Sequence, residues 1–128
     1  MVCRAVHPMG TEYDQVKVKC GAAVTKGYFV EKDTTNGGVK NLAADGNAAW
    51  GIATKTGVAG DYIMVARGGI WNTDAETGDD FYTAETVYST DDGKLIDDGG
   101  SFNACGACVI EDISSGGNGN FLFVPSQT

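Results

Sequence analysis

"AAWGIATKTGVAGDYIMVARGGIW", residues 48–71, is the most organised stretch of the chain. Two apolar runs, "AWGIAT" (49–54) and "DYIMVAR" (61–67), flank the turn segment "TGVAGD" (56–61). Runs this short, bounded by Gly and Asp, read as strands joined by a turn; a helix needs a longer stretch at a 3.6-residue period. Lys55, Asp61 and Arg67 are the only charges in the stretch. It is built for packing, and no residue in it is an obvious reaction centre.

The same pattern continues in both directions. "VKVKC" (16–20) alternates, with Val16, Val18 and Cys20 on one face and Lys17 and Lys19 on the other. "GYFVEK" (27–32), "TVYST" (86–90), "ACVIED" (107–112) and "NFLFVPS" (120–126) follow as further strands. Between them lie "TTNGG" (34–38), "AADGN" (43–47), "STDDG" (89–93) and "SSGGNGN" (114–120). Gly, Asn and Asp supply the positive φ angles and side-chain hydrogen bonds that turns need. Only "TDAETGDDFYTAET" (73–86) leaves room for a short helical turn. The expected fold is all-β: a small β-barrel-like domain over residues 16–128 preceded by an N-terminal arm, 1–15. Closure is expected because "YIMV" and "FLFV" are apolar on both faces and call for cover. A faint repeat runs through the chain: Gly38, Ala49 and Gly51 recur 55 residues later as Gly93, Ala104 and Gly106, and "DYIMV" is answered by "NFLFV". The pattern fits an internal duplication. Glycine richness alone also produces matches this sparse.

A chain of 128 residues with 42% hydrophobic content can bury one core without help. No apolar run approaches the roughly 20 residues that cross a bilayer, and no leader-like segment opens the chain. The expected setting is the cytoplasm, or a particle assembled there, with no membrane partner. The net charge of −8 is unevenly spread. Through Arg67 there are eight basic and six acidic residues; from Gly68 onward Lys94 stands against eleven acids, so the halves carry about +2 and −10. An acidic half argues against nucleic acid, which requires a basic footprint.

Candidate chemistry is sparse. Cys105 and Cys108 have the CxxC spacing of half a zinc site, but Cys3 and Cys20 do not form the other half and His7 is the sole histidine. On a strand, positions three apart face opposite ways, so buried apolar thiols are favoured over a metal site. Asp79–Asp80, Asp91–Asp92 and Asp97–Asp98 sit beside glycines, where turn chemistry accounts for them, and "DDGKLIDDGG" lacks EF-hand spacing. No nucleophile–base–orienter set is present, so no catalytic residue, metal or cofactor is expected. Trp50 and Trp71 could stack on a sugar, yet in apolar strands they read as core.

The opening segment, "MVCRAVHPMGTEYDQ" (1–15), keeps Val2, Val6 and Met9, together with Arg4 and His7. A frayed terminus seldom retains so many apolar residues, so an arm lying on another chain is the alternative. It is expected to be dispensable for folding, since the alternating strands lie downstream.

The order of several stretches is informative as a set: "AAVTKGYFV" (22–30), "WGIA" (50–53), "DYIMVARGGIW" (61–71), "VYSTDDGKL" (87–95) and "FLFVP" (121–125). In this order they resemble the small capsid decoration, or cement, proteins of tailed bacteriophages. The resemblance spans roughly residues 16–125 and rests on short glycine-rich motifs. It implies a β-barrel or β-tulip-like domain made in the host cytoplasm that binds the major capsid protein on the outer surface of the virion. Such a domain reinforces the shell against packaged DNA, and many self-associate as trimers. The arm would then supply the capsid contacts, with Val2, Arg4, Val6, His7 and Met9 as candidates. The long N-terminus and four cysteines depart from the family pattern. The competing expectations are a head-fibre or other virion module and a small ligand-binding β-barrel.

Overall fold

Short alternating segments separated by glycine turns give strands throughout. The computed structural model describes residues 3–5, 15–43, 48–90, 92–96 and 104–125, with the main chain alone at residues 5, 89 and 104–108. The described strands are β1 (Arg4–Ala5), β2 (Gln15–Lys19), β3 (Phe29–Lys32), β4 (Val39–Asn41), β5 (Gly51–Ala53), β6 (Tyr62–Ala66), β7 (Gly69–Asp74), β8 (Thr86–Ser89), β9 (Leu95–Ile96), β10 (Ala104–Val109) and β11 (Asn118–Phe123). They form a five-stranded sheet ordered β2-β6-β5-β3-β4 and a six-stranded sheet ordered β1-β7-β11-β10-β8-β9. The fold is all-β, and no helix occurs among the described residues.

The two sheets are two copies of one design. Without β1, the second sheet follows the same order as the first, with β7, β8, β9, β10 and β11 in the places of β2, β3, β4, β5 and β6. Even the isolated bridges repeat: Cys20–Val39 and Val24–Gly57 in the first copy are answered by Ala75–Leu95 and Phe81–Ile113 in the second. Main-chain hydrogen bonds agree as well. Asp61 N–H donates to Val58 O at 3.0 Å and Gly117 N–H to Ser114 O at 2.7 Å; Gly27 N–H donates to Ala53 O and Ala84 N–H to Val109 O, each at 2.8 Å. The duplication is structural, but in another register than the sequence matches: Asp33 N–H donates to Gly38 O as Thr90 N–H does to Lys94 O, so Gly38 answers Lys94 rather than Gly93, and Val65 answers Phe121 rather than Val124.

One pair of equivalent residues tests this. Gly27 has φ +82°, and its counterpart Ala84 has φ +72°, the one positive φ outside glycine among the described residues. An L-residue in that region costs about 1–2 kcal/mol relative to a relaxed backbone, part of which glycine gives back through its freer unfolded chain. Ala84→Gly should therefore raise stability by up to about 1 kcal/mol, and Gly27→Ala should lower it by a similar amount. Urea midpoints of the two variants moving in the same direction would contradict the equivalence.

Each repeat closes its β3–β4 or β8–β9 turn with a side chain. In the first, the Asp33 carboxylate accepts the N–H of Asn36 at 2.9 Å and of Thr35 at 3.0 Å. In the second, the Thr90 hydroxyl accepts the N–H of Lys94 at 2.9 Å. The Asn36 N–H, foremost, holds the Asp33 carboxyl below its usual range. The Thr83 N–H and hydroxyl do the same for Asp112. Carboxyls with depressed values favour the folded state above their unfolded pKa, and that contribution fades as pH falls through the folded value.

The sheets meet over two aromatic contacts, both made by Phe29. Phe29 lies 6.2 Å from Phe121 and 5.9 Å from Phe123, ring centre to ring centre. Around it Ile52 and Ala66 of the first repeat pack with Trp71, Phe81, Val87, Leu95, Val109 and Ile113 of the second. A separate cluster, Cys20, Val24, Val30, Val39, Ala53, Ile63 and Val65, fills the opposite face of the first sheet.

Among the described residues the strands form two sheets, and an isolated parallel bridge joins the ends of each: Cys20–Val39 from the end of β2 to β4, and Ala75–Leu95 from the end of β7 to β9. Two expectations change. The strands expected to be covered on both faces alternate instead: Tyr62, Met64, Leu122 and Val124 are exposed while Ile63, Val65, Phe121 and Phe123 are buried. Residues 73–86 hold the end of β7, a bridge at Phe81 and turns, with no helical turn.

Candidate functional site

Of the proposed capsid contacts, Val2, Val6, His7 and Met9 lie outside the described residues. Arg4 is described, and it lies on its own chain: Arg4 and Ala5 pair with Asn72 and Trp71 on the edge of β7. The Arg4 guanidinium donates to Asn72 Oδ1. Cys3 is buried in the inter-sheet core, and its N–H donates to Gly27 O at 2.9 Å, so it ties the two repeats together. Residues 3–5 are thus part of the domain, and deleting the whole segment would expose the core beside Trp71. This departs from the expectation of a dispensable arm.

Beside Arg4 a recess of about 300 Å³ opens at the seam between the sheets. It is lined by Cys3, Arg4, Gln15, Lys26, Ala53, Thr54 and Trp71, two cations with no carboxylate among these residues. On a chain of net charge −8 this is a local cationic spot, able to accept a carboxylate through charge-assisted hydrogen bonds.

A second recess of about 260 Å³, lined by Val18, Lys32, Gly38, Val39 and Trp50, lies beside the second core cluster of the first sheet. Sequence alternation places Trp50 on the Ile52 face, in the core. Instead Trp50 packs, partly buried, against the opposite cluster. The cause is local: Gly51 stands opposite Val30 in the ladder, and the Trp50 N–H also donates to Val30 O at 2.8 Å, so two residues meet one. The Arg67 guanidinium covers one face of the indole at 4.2 Å from its centre, and Nε donates to Trp50 O at 2.9 Å. Burial lowers the Arg67 pKa, though the group stays far above neutrality. Trp71 is a core residue as expected, with Nε1 donating to Gly68 O at 2.9 Å.

The remaining candidate groups are structural. Cys20 is fully buried, and burial first, then the Asp61 carboxylate, push its thiol pKa up, which is the opposite of a reactive thiolate. Asp80 accepts the Ser115 N–H at 2.7 Å, as a turn residue does. Cys105 and Cys108 fall on β10, where the main chain alone is described. No cluster of three metal-binding side chains occurs among the described residues. Comparison with protein-family models and with curated proteins gives no match.

Proposed function

We propose that the chain is a capsid decoration protein that binds the outer surface of a phage head, with the major capsid protein as partner and further copies of itself as neighbours. The observation that carries this reading is the placing of Arg4. A residue singled out as a contact from the sequence sits with Lys26 at a cationic recess on the seam of the domain. The ordered motifs behind the resemblance support it, since they fall on β3, β5, β6–β7, β8–β9 and β11 and so span both repeats. A repeat-built β domain also suits the task, because cement acts by bridging neighbours and gains strength from many copies. The ligand-binding alternative draws on the Trp50 recess, but Arg67 already occupies one face of that ring, which leaves a sugar a single stacking surface.

The test is co-sedimentation with purified shells in each maturation state, comparing the intact protein with Arg4→Glu/Lys26→Glu. The intact protein should pellet with shells, and the double variant should bind at least about tenfold more weakly, the equivalent of one lost charge-assisted contact. Equal occupancy would move attachment away from the seam. No pelleting of the intact protein with any shell would sink the decoration reading itself.

A further inference from the structure

The strands of the first sheet present one sign of charge to their surroundings. Lys17 and Lys19 on β2 and Lys32 on β3 are exposed. The only carboxylate on these strands, Glu31, is buried and already held: Lys40 Nζ stands 3.8 Å from Oε1, and the Ala43 N–H donates to Oε2 at 3.0 Å. Asp33, just after β3, is also buried, and its carboxylate is taken up by the N–H groups of Thr35 and Asn36. On a chain of net charge −8, this sheet therefore offers cations. Among the described residues Lys32 makes no ion pair.

Lys32 also lines the recess of about 260 Å³, where Val18, Val39 and Trp50 are the apolar walls and no lining residue is a carboxylate. Arg67, 4.2 Å over the Trp50 ring, sets a second cation beside the same wall. In the second repeat the corresponding positions are filled from within the chain. Val18 is answered by Thr73, which is fully buried, and Arg67 by Phe123, which packs on Phe29 at 5.9 Å. In the first repeat Val18 and Trp50 are only partly buried, and a guanidinium stands where the second has a ring. The recess is smaller than the roughly 300–1,000 Å³ of pockets that hold a whole small molecule. That size suits a single anchoring side chain. Apolar walls with cations beside them select an apolar group that carries negative charge next to it.

We infer that this recess is a docking site for an acidic polypeptide segment of a partner protein. The segment seats one aromatic side chain against Trp50 and Val18, and the carboxylates flanking that residue reach Lys32 and Arg67. The ring packs on the part of the indole that Arg67 leaves, and the carboxylates accept charge-assisted hydrogen bonds. No residue lining this recess lines the seam recess beside Arg4. The site is therefore a second one, and it stands whether or not the partner is a capsid.

The test is NMR of the intact protein, read at the indole N–H signals of Trp50 and Trp71, with Trp50→Phe to assign them. An acetylated, amidated Gly-Asp-Phe-Asp-Gly peptide should shift the Trp50 signal with a Kd of about 0.1–5 mM, the strength of one anchoring side chain. The Trp71 signal should stay in place. Gly-Asp-Ala-Asp-Gly lacks the ring and Gly-Lys-Phe-Lys-Gly reverses the charge; each should bind at least about fivefold more weakly. Val18→Phe, which fills the recess, should abolish the shift. Lys32→Glu changes an exposed residue and keeps the walls. It should weaken the aspartate peptide about threefold, the fold-change of one exposed ion pair, and strengthen the lysine peptide. Urea midpoints check that both variants are folded, and Lys32→Glu carries the test if Val18→Phe is not. No Trp50 shift with the aspartate–phenylalanine peptide, equal binding of either control peptide, or an unchanged Lys32→Glu variant overturns the inference. Hydrocinnamate binding as tightly as the peptide would overturn it too, by giving the recess to a small aromatic acid. A Trp50 signal that moves with protein concentration alone would do the same, by giving it to another copy of the chain.

Discussion

Phe29→Ala should lower the unfolding free energy by about 3–5 kcal/mol, the range for emptying a well-packed aromatic site. Phe29 is 1% exposed and sits within about one ring diameter of both Phe121 and Phe123. It is the aromatic residue through which the first sheet grips the second. Removing it takes away the buried area of one ring and two tilted ring–ring contacts. It also leaves a cavity between two stiff sheets that cannot easily collapse. For a chain of 128 residues, a loss of that size corresponds to roughly 10–20 °C in the melting midpoint. Urea and thermal unfolding of the variant would measure it directly. A loss under about 1 kcal/mol would mean that the sheets are not held together at this ring, since surface changes cost no more than that.

What could be read from the sequence divides along physical lines. The clean alternation of 16–20, the short apolar run in 61–67 and turns rich in Gly, Asn and Asp were legible because these signals are local. β7 was not, because its outward residues Asn72 and Asp74 and its opening glycine make 69–74 look like a loop. β1, two residues long, exists only through Asn72 and Trp71, which are distant in sequence, and β9, also two residues, is too short to show a period beside its hairpin partner β8. The duplication was faint because hydrogen-bond roles persist while residue types change: Asp33 becomes Thr90, Cys20 becomes Ala75, Gly27 becomes Ala84. Apolar runs such as "YIMV" gave the strand but not its cover. Whether a Tyr or Met on the second face is buried depends on what packs there, and in this molecule Tyr62 and Met64 face solvent. At the candidate site, Arg4 was legible as a charged residue in an apolar segment, but its place on its own sheet was not. The Trp50 recess was hidden by the two-to-one pairing at Val30, which turns the indole to the face that alternation assigns elsewhere.

Gly38→Ala should cost about 2–5 kcal/mol, from two sources of comparable size. The first is conformational: Gly38 has φ +72°, where an L-residue loses about 1–2 kcal/mol. The second is steric. A Cβ at this position would overlap the Lys19 carbonyl oxygen and stand 2.9 Å from the carbonyl carbon. The obstacle is main chain at the end of β2, so no rotamer change relieves it. Backbone shifts of this kind cost about 1–3 kcal/mol. The crowding exists because the chain entering β4 crosses close to the end of β2, held by Gly21 N–H to Val39 O at 2.8 Å and by the Cys20–Val39 bridge. Gly37→Ala is the control. It meets the same backbone penalty at φ +78°, and a Cβ there would have no heavy atom within 4 Å, so its loss should reflect strain alone. Urea unfolding of both variants should therefore show Gly38→Ala as the more damaging by about 1–3 kcal/mol, the steric share. Equal losses would show that the end of β2 yields to a methyl group. They would also mean that the close crossing is not what fixes glycine there.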